Sequence, residues 1–322
     1  RRAAVMRYVD VPETLERIRE ASRPAVAVVN HCFNIPATRL LFPGVPILLE
    51  AQDVQARQLA LQDRVRVAGS DSVEPDPREL EVELQLARQA RAIVSVNRRE
   101  SDFFAHYPEL GPVFTIHPYL DIEPESPRGE GSRGPSMNPS PVDDPIDLLL
   151  VASRNAGNVA SVRWFQDRVL PYLAKARLRV LVVGSIAEEI PEEERRIEFT
   201  GRVESLKPFY DRARVVALPV VEGTGVSIKT IEAVCMGKAV VATSHAFRGV
   251  DEVEGMPFFD SPREFAHEVL RLLGDEDSRS ERAERSRKLA SSVFSKSQYF
   301  KRWDEVLSQA IGDARGPSES LR

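Results

Sequence analysis

The sequence predicts an α/β protein of two domains, each built on a mostly parallel β-sheet with helices on its faces. Short apolar runs alternate with amphipathic stretches along the chain, which is the pattern of successive βα units around a buried sheet. The chain has 322 residues, and single hydrophobic cores stop growing at roughly 250 to 300 residues. A segment rich in proline, glycine and serine also separates two halves of the chain.

The first predicted domain covers residues 1–122. Its strands are short apolar runs, and the amphipathic stretch Glu79–Ala92 predicts a helix between two of them. Strands that alternate with helices in this way usually pair in parallel. The predicted strands are Ala25–Val29, Val45–Leu49, Ile93–Val96 and Val113–Ile116.

A composition break follows the first domain. Residues 123–145 contain six prolines, three glycines and several serines, with little that could be buried. This composition predicts a solvated linker without fixed structure. We therefore place the boundary between the two domains here.

The second predicted domain covers residues 146–295, and a C-terminal helix and tail cover 296–322. Apolar residues recur at helical spacing in the first helix of this domain, and the segment Ser261–Ile311 is predicted to be wholly helical. The predicted strands are Ile146–Ala152, Arg179–Val183, Ile197–Phe199, Val215–Leu218, Ala239–Ala242 and a short Pro257–Phe259. The other predicted helices are Val159–Leu173, Ser205–Arg212 and Ser227–Cys235.

The overall composition argues against several classes of protein. A formal net charge of -5 does not suit non-specific nucleic-acid binding, which needs a basic surface. No apolar run approaches the roughly 20 residues that span a bilayer, and residues 1–7 lack the apolar core of a secretory signal. Cys32 and Cys235 are too few for a disulfide framework or a zinc site. We expect a cytoplasmic protein, with peripheral contact at the inner membrane face left open.

The most informative segment runs from Pro219 to Thr243. A buried strand ends at Pro219, a turn containing Gly223 and Gly225 follows, and a helix begins near Ser227. The turn therefore lies at the carboxyl end of a parallel strand, where open α/β sheets bind ligands. The glycines let a ligand approach the backbone closely, and the first N–H groups of the helix favour an anion such as a diphosphate.

Two charged residues follow the turn on the predicted helix. Lys229 and Glu232 are three residues apart, so they share one face of the helix. Lys229 suits phosphate, and the carboxylate of Glu232 suits the two vicinal hydroxyls of a ribose. From spacing alone, an ordinary glycine turn followed by a solvated ion pair explains the pattern almost as well.

This segment resembles the nucleotide-binding domain of family 4 glycosyltransferases, which belong to glycosyl transferases group 1. It is similar to the branch with the motif Gly-x-Gly-x-x-x-Lys-x-x-Glu-Ala, found here from Gly223 to Ala233. The resemblance is specific after residue 146 and fainter before it. It also includes Phe199–Val203, Phe209 with Tyr210, Phe247–Gly249, Val151–Val159, and upstream Val28–His31, Leu49–Val54, Glu100, Phe103 and Phe104.

The resemblance implies the GT-B architecture, in which two Rossmann-like domains face each other, and sugar transfer from a nucleoside-diphosphate sugar with retention of anomeric configuration. It implies that Glu232 binds the donor ribose and that Lys229 and Arg154 are the catalytic cations on the diphosphate. No cofactor or metal is expected. The expected partners are the nucleotide sugar and a glycan or lipid-linked acceptor, as in polysaccharide biosynthesis. The remaining expected donor-binding residues are Ser153, Gly223, Thr224, Gly225, Val226, Ser227 and His245.

The acceptor side departs from the family pattern. The common Thr-His-Asp-Val motif is Ala51-Gln52-Asp53-Val54 here. Gln52 can donate and accept hydrogen bonds but cannot be protonated. Gln52, Asp53 and His31 are the candidate acceptor-side residues. The departure leaves two alternatives open, a non-catalytic nucleotide-sugar binding module and a GT-B sugar-nucleotide epimerase.

The start of the first domain also departs from the family pattern. The first clear strand follows an amphipathic stretch, Pro12–Glu20, and not the glycine-rich loop that opens such domains. In the resembling branch this strand is not the first one. We therefore expect an incomplete first domain that lacks its opening βαβ region. For residues 1–322 this predicts either poor expression or nucleotide binding without robust sugar transfer.

Overall fold

The computed structural model describes residues 17, 20, 24–66, 75–120, 144–251, 253 and 255–312. These residues form two compact units. The first extends to Pro118 and takes in Thr224–Val226 and the chain from Ser297 onward, and the second takes in Tyr119–Gly223 and Ser227–Lys296. Most of the predicted linker 123–145 and of the amphipathic stretch 12–20 lies outside the described residues.

The first unit contains a four-stranded parallel sheet in the order β1-β2-β3-β4. Each strand lies within two residues of its predicted bounds, because an apolar run marks a strand that is covered on both faces. The third strand, for example, is buried along its whole length. The strands are β1 Ala27–Asn30, β2 Ile47–Ala51, β3 Ala92–Ser95 and β4 Val113–Thr115.

Among the described residues, four helices connect these strands. The predicted bounds of the helix Glu79–Ala92 were wrong at both ends. It begins earlier because Asp76 Oδ1 accepts a hydrogen bond from the Arg78 N–H at 2.8 Å and so caps the first turn. It ends at Ala87, since Ala92 already belongs to the sheet. The helices are α1 Ile35–Leu41, α2 Gln55–Arg66, α3 Pro77–Ala87 and α4 Arg98–Ala105.

The last helix of the described residues, α11 (Lys296–Gly312), packs against the sheet of the first unit. Trp303 and Val306 are 7% and 2% exposed. They join one apolar cluster with Leu48 of β2 and Val94 of β3. Residues 297–312, which the sequence assigned to a separate C-terminal segment, therefore contribute to the core of the first unit.

The second unit contains a five-stranded parallel sheet in the order β7-β6-β5-β8-β9. The chain enters at the central strand, adds two strands on one side, and then returns to add two on the other. This reversal makes a topological switch point between β5 and β8, which is where open α/β sheets bind ligands. Phe258, in the strand predicted over Pro257–Phe259, makes a single parallel bridge to Ala242. The strands are β5 Ile146–Val151, β6 Val180–Val183, β7 Glu198–Gly201, β8 Ala213–Leu218 and β9 Val240–Ala242.

The helix predicted over Val159–Leu173 begins earlier and contains a wider turn. Asn155 Oδ1 accepts from the Asn158 N–H at 2.8 Å, which caps the helix and sets its start at Ala156. A π-helical turn spans Phe165–Val169, just before Pro171, whose ring is incompatible with the ordinary i→i−4 hydrogen bond. The helices of this unit are α5 Ala156–Trp164, α6 Leu170–Leu173, α7 Lys207–Arg212, α8 Ile228–Cys235, α9 Pro262–Gly274 and α10 Glu276–Val293.

The core of the second unit lies between its sheet and the helices α5, α6 and α9, with Phe165 and Phe265 fully buried. The segment Ser261–Ile311 forms three helices, with breaks at Asp275 and at residues 294–295. None of the described helices is both long and apolar enough to cross a membrane.

Candidate functional site

The candidate site of the second unit lies at the carboxyl ends of β5, β8 and β9. Three loops leave the sheet there, at residues 152–155, 219–227 and 243–249. The second loop packs closely against the start of α5, which follows the first loop: a Cβ added to Gly157 would lie 3.1 Å from the carbonyl oxygen of Glu222. The Val221 N–H also donates to Ser161 Oγ at 3.4 Å. These contacts hold the loop after β8 against the start of α5, next to the switch point.

Gly223 has a backbone conformation that few other residues adopt. Its φ is 139°, in the region that favours glycine. Its carbonyl oxygen lies 3.2 Å from His245 Nε2, and because a carbonyl can only accept, that nitrogen carries the proton. His245, predicted to bind the donor, therefore holds the glycine loop in this structure. Thr224, Gly225 and Val226 form the tip of this loop and belong to the first compact unit.

Lys229 is joined to the loop after β5 through a residue that was not predicted. Its Nζ donates to Asn158 Oδ1. The Asn158 amide in turn donates to the Ser153 carbonyl oxygen at 2.7 Å and to Ser153 Oγ at 3.2 Å. Burial, and then the nearby charge of Arg248, lower the pKa of Lys229 to about 8. The structure thus connects two predicted site residues, Lys229 and Ser153, through a buried amide.

Arg248 is a second cation at this site, and it was not among the predicted site residues. Its Nη1 donates to the His245 carbonyl oxygen at 3.1 Å. Its Nη2 would lie 2.9 Å from a Cβ added to Gly223. The guanidinium group therefore packs directly against the glycine backbone. The sequence did offer one indication, because Arg248 lies in Phe247–Gly249, a segment that resembles family 4 glycosyltransferases. Arg248 lies in the loop after β9, so the position of its guanidinium group depends on the pairing of β8 with β9. That pairing could not be predicted from the sequence.

Glu232 lies one turn beyond Lys229 on α8 and is half-buried. The Tyr210 hydroxyl donates to Glu232 Oε2 at 3.0 Å. Burial raises the pKa of Glu232, and the hydrogen bond from Tyr210 lowers it in part. The predicted ribose-binding carboxylate therefore has a fixed partner inside the second unit.

The Arg154 side chain points to a different set of partners from Lys229 in this structure. Its guanidinium pairs with two carboxylates in the turn after β6, through Nη1 to Glu188 Oε2 at 3.4 Å and through Nε to Glu189 Oε1 at 2.5 Å. The Arg154 side chain is 63% exposed. Its backbone N–H donates to Ser185 Oγ at 3.0 Å, which ties the loop after β5 to the neighbouring turn.

The start of α8 carries no side-chain cap. Ser227 occupies the N-cap position, but its hydroxyl accepts from Thr230 Oγ1 at 2.8 Å and does not cap the helix. An uncapped first turn directs its N–H groups and the positive end of the helix dipole away from the helix. This end of α8 suits an anion, and anion binding there stays a prediction.

The predicted acceptor-side residues lie at the carboxyl ends of β1 and β2 in the first unit. His31 has a φ of 61° and stacks on Phe33 at 5.1 Å between ring centroids. Its Nδ1 lies 3.2 Å from Gln55 Nε2, and burial lowers its pKa. Gln52 is exposed and Asp53 is half-buried.

Two buried carboxylates support the chain that follows Asp53, and the sequence analysis gave neither a role. Glu83 accepts from the Gln55 and Ala56 N–H groups, each at 2.9 Å. Glu100 accepts from the Val54 N–H at 3.0 Å. Within the described part of the chain, no group of three or more His, Cys, Asp or Glu side chains is arranged to hold a metal ion.

Residues 146–275 match the model of the family Glycosyl transferases group 1. The matched residues include Arg154, Lys229, Glu232 and Arg248, and they extend from β5 to the end of α9. A comparison with curated proteins found none that matches the chain.

Several solved structures have a similar fold. Sucrose-phosphate synthase from Thermosynechococcus elongatus matches with a TM-score of 0.64 and 16% identity, over 95% of this chain and 81% of that one. Anabaena HepE in complex with UDP and glucose matches with a TM-score of 0.63 and 16% identity, over 92% and 80%. A variant of S. aureus TarM matches with a TM-score of 0.63 and 9% identity, over 91% of this chain and 58% of that one. The predicted α/β class is confirmed: the fold matches that of GT-B glycosyltransferases, and residues 146–275 match Glycosyl transferases group 1.

Proposed function

We propose that this protein is a glycosyltransferase that moves a sugar from a nucleoside-diphosphate sugar to a glycan or lipid-linked acceptor, with retention of anomeric configuration and without a metal ion. The observation that carries the proposal is the pair of cations, Lys229 and Arg248, beside the switch point of the second sheet, with Glu232 one turn beyond Lys229 on α8. Anabaena HepE, which has a similar fold, was crystallised with UDP and glucose. The proposed setting is cytoplasmic polysaccharide biosynthesis with peripheral membrane contact.

In this proposal, Lys229 and Arg248 hold the diphosphate and Glu232 accepts hydrogen bonds from the ribose. Arg154 adds a third cation when the diphosphate competes with its two carboxylate partners. That competition is easy, because exposed ion pairs contribute only about 0 to 1 kcal/mol. The ligand would thus draw together side chains that the structure holds apart.

The proposed reaction is a group transfer. The bond between the sugar's anomeric carbon and the diphosphate oxygen breaks, and its electron pair leaves with the diphosphate. The acceptor hydroxyl forms the new bond on the same face of the sugar and gives up its proton to the leaving diphosphate oxygen. Fixed cations stabilise the charge that grows on the leaving diphosphate, which is the largest electrostatic change in the step.

A panel of UDP, GDP and ADP sugars tests the proposal. Binding is measured by thermal stabilisation and turnover by product analysis, with and without EDTA. Donor hydrolysis or transfer in EDTA supports a metal-independent transferase, and an α-linked product from an α-linked donor, identified by proton NMR, supports retention. An altered sugar in the recovered nucleotide would favour the epimerase instead, and stabilisation without turnover the binding module. If none of the nucleotides binds, the proposal is wrong.

Replacing Glu232 with alanine tests the assigned ribose contact. We expect Glu232→Ala to weaken nucleotide binding by about tenfold or more, since hydrogen bonds to a charged group contribute about 1.5 to 3 kcal/mol. Isothermal titration calorimetry measures the change. Glu264→Ala is the matched control, because Glu264 is an exposed glutamate on α9 of the same unit. Equal affinity in Glu232→Ala and wild type would remove the ribose role from Glu232.

A further inference from the structure

We propose that Tyr210 is a positioning residue that holds the carboxylate of Glu232 for recognition of the donor ribose. The inference rests on the proposed function of the second unit in binding a nucleoside-diphosphate sugar. The Tyr210 hydroxyl donates to Glu232 Oε2 at 3.0 Å. The tyrosine is 1% exposed and belongs to α7, which leads directly into β8. Its ring is therefore fixed by the core, and the hydroxyl transmits that fixed position to Glu232.

The hydrogen bond leaves part of the carboxylate for a ligand. Within the described residues, Tyr210 is the only recorded hydrogen-bond donor to Glu232, and it uses Oε2. The other oxygen, Oε1, is left for a ribose hydroxyl. Because the Glu232 side chain is already fixed, it loses less rotational entropy when the ligand binds.

The same contact favours the charged form of the acceptor. Burial raises the pKa of Glu232, and the Tyr210 hydrogen bond acts in the opposite direction. An ionised carboxylate only accepts hydrogen bonds, whereas a protonated one also donates. A ribose diol that donates two hydroxyl hydrogens is best matched by the ionised form.

A purely structural role for Tyr210 makes a different prediction. A buried tyrosine hydroxyl needs a hydrogen-bond partner, and Glu232 would then serve only to satisfy it. Loss of a structural contact would weaken every ligand of the second unit to a similar degree. Loss of a positioning contact would weaken only ligands that carry ribose hydroxyls.

The test compares each nucleoside diphosphate with its 2′,3′-dideoxy counterpart. Affinities of the full-length protein for UDP, GDP and ADP and for the three dideoxy forms are measured by calorimetry. In wild type, we expect the dideoxy form of the preferred nucleotide to bind more weakly. In Tyr210→Phe, affinity for the ribonucleotide should fall by about 2- to 10-fold, the range for one hydrogen bond, with affinity for the dideoxy form unchanged.

Tyr172→Phe is the matched control, because it removes the same hydroxyl from an exposed tyrosine of the same unit. It should leave both affinities at the wild-type values. An equal fall for both ligands in Tyr210→Phe, or an unchanged preference for the ribonucleotide, would overturn the positioning role. If wild type binds none of the nucleotides, the proposed function fails first and this inference fails with it. If wild type binds but does not distinguish the dideoxy form, the inference fails together with the ribose contact assigned to Glu232, while nucleotide binding by the second unit stands.

Discussion

Lys229 is an amine whose surroundings favour its neutral form, because it is buried and lies near the charge of Arg248. Its pKa is lowered to about 8. A bound diphosphate would favour the charged form again, so binding is strongest while Lys229 is protonated, below that pKa. As the pH rises past it, the free protein must take up a proton to bind. We expect affinity for the nucleotide sugar to fall by about tenfold between pH 7 and pH 9.

Calorimetry across that pH range, on wild type and Lys229→Arg, checks the prediction. Arginine keeps its charge throughout the range, so Lys229→Arg should lose most of the pH dependence even if its affinity at pH 7 is lower. A fall of the same size in both proteins would assign the pH dependence to another group.

Contacts within the candidate site were predictable from spacing only where the two residues lie close together in the chain. Lys229 and Glu232 are three residues apart on one helix, so their shared face follows from helical spacing. Tyr210 lies 22 residues from Glu232, and Asn158 lies 71 residues from Lys229. Those contacts depend on which strands are neighbours in the sheet. The βα pattern predicts a parallel sheet but does not give its strand order.

At the scale of elements, the beginning of α2 depends on a carboxylate from α3. Glu83 accepts hydrogen bonds from the first two N–H groups of α2. Burial raises the pKa of Glu83 to about 7, and the charges of Glu100 and Asp53 add to this, while the two N–H groups act against it. The native protein therefore holds a proton that the unfolded chain releases between the ordinary glutamate pKa of 4.5 and about 7. Stability falls as the pH rises through this window.

We expect wild type to lose up to about 3 kcal/mol of unfolding free energy, relative to Glu83→Gln, between pH 5 and pH 8. Urea unfolding followed by Trp303 fluorescence measures this loss, in a Trp164→Phe background so that only the first unit reports. Glu81→Gln, an exposed position on the same helix, should follow wild type. A constant difference between wild type and Glu83→Gln at all pH values would contradict the raised pKa.

Strands were easier to predict than helices for a physical reason. The inner strands of both sheets, such as β3 and β6, are apolar runs, because burial on both faces makes the run continuous in sequence. The helix α2, Gln55–Arg66, was not predicted, because its apolar residues do not recur with a clear helical period. The buried carboxylates that hold its first turns come from residues far along the chain. Such tertiary contacts override weak local signals.

At the scale of the whole molecule, the chain returns to the first unit after completing the second. The helix α11 buries Trp303 and Val306 against β2 and β3, so the first unit depends on the last described helix of the chain. The second unit has its own core between its sheet and its own helices. Loss of the α11 contact should therefore loosen one unit much more than the other.

Trp303→Ala tests this dependence. Removing a buried tryptophan costs about 3 to 5 kcal/mol when the site cannot collapse, and we expect that cost to fall on the first unit. Hydrogen exchange followed by mass spectrometry should show faster exchange in β2 and β3, with β5, β6 and β8 unchanged. Phe300→Ala removes an aromatic side chain that is 49% exposed on the same helix and should leave both sheets protected. Equal acceleration in the two sheets of Trp303→Ala would mean that the units unfold as one cooperative body. Nucleotide binding that survives in Trp303→Ala would also place the donor-binding function in the second unit alone.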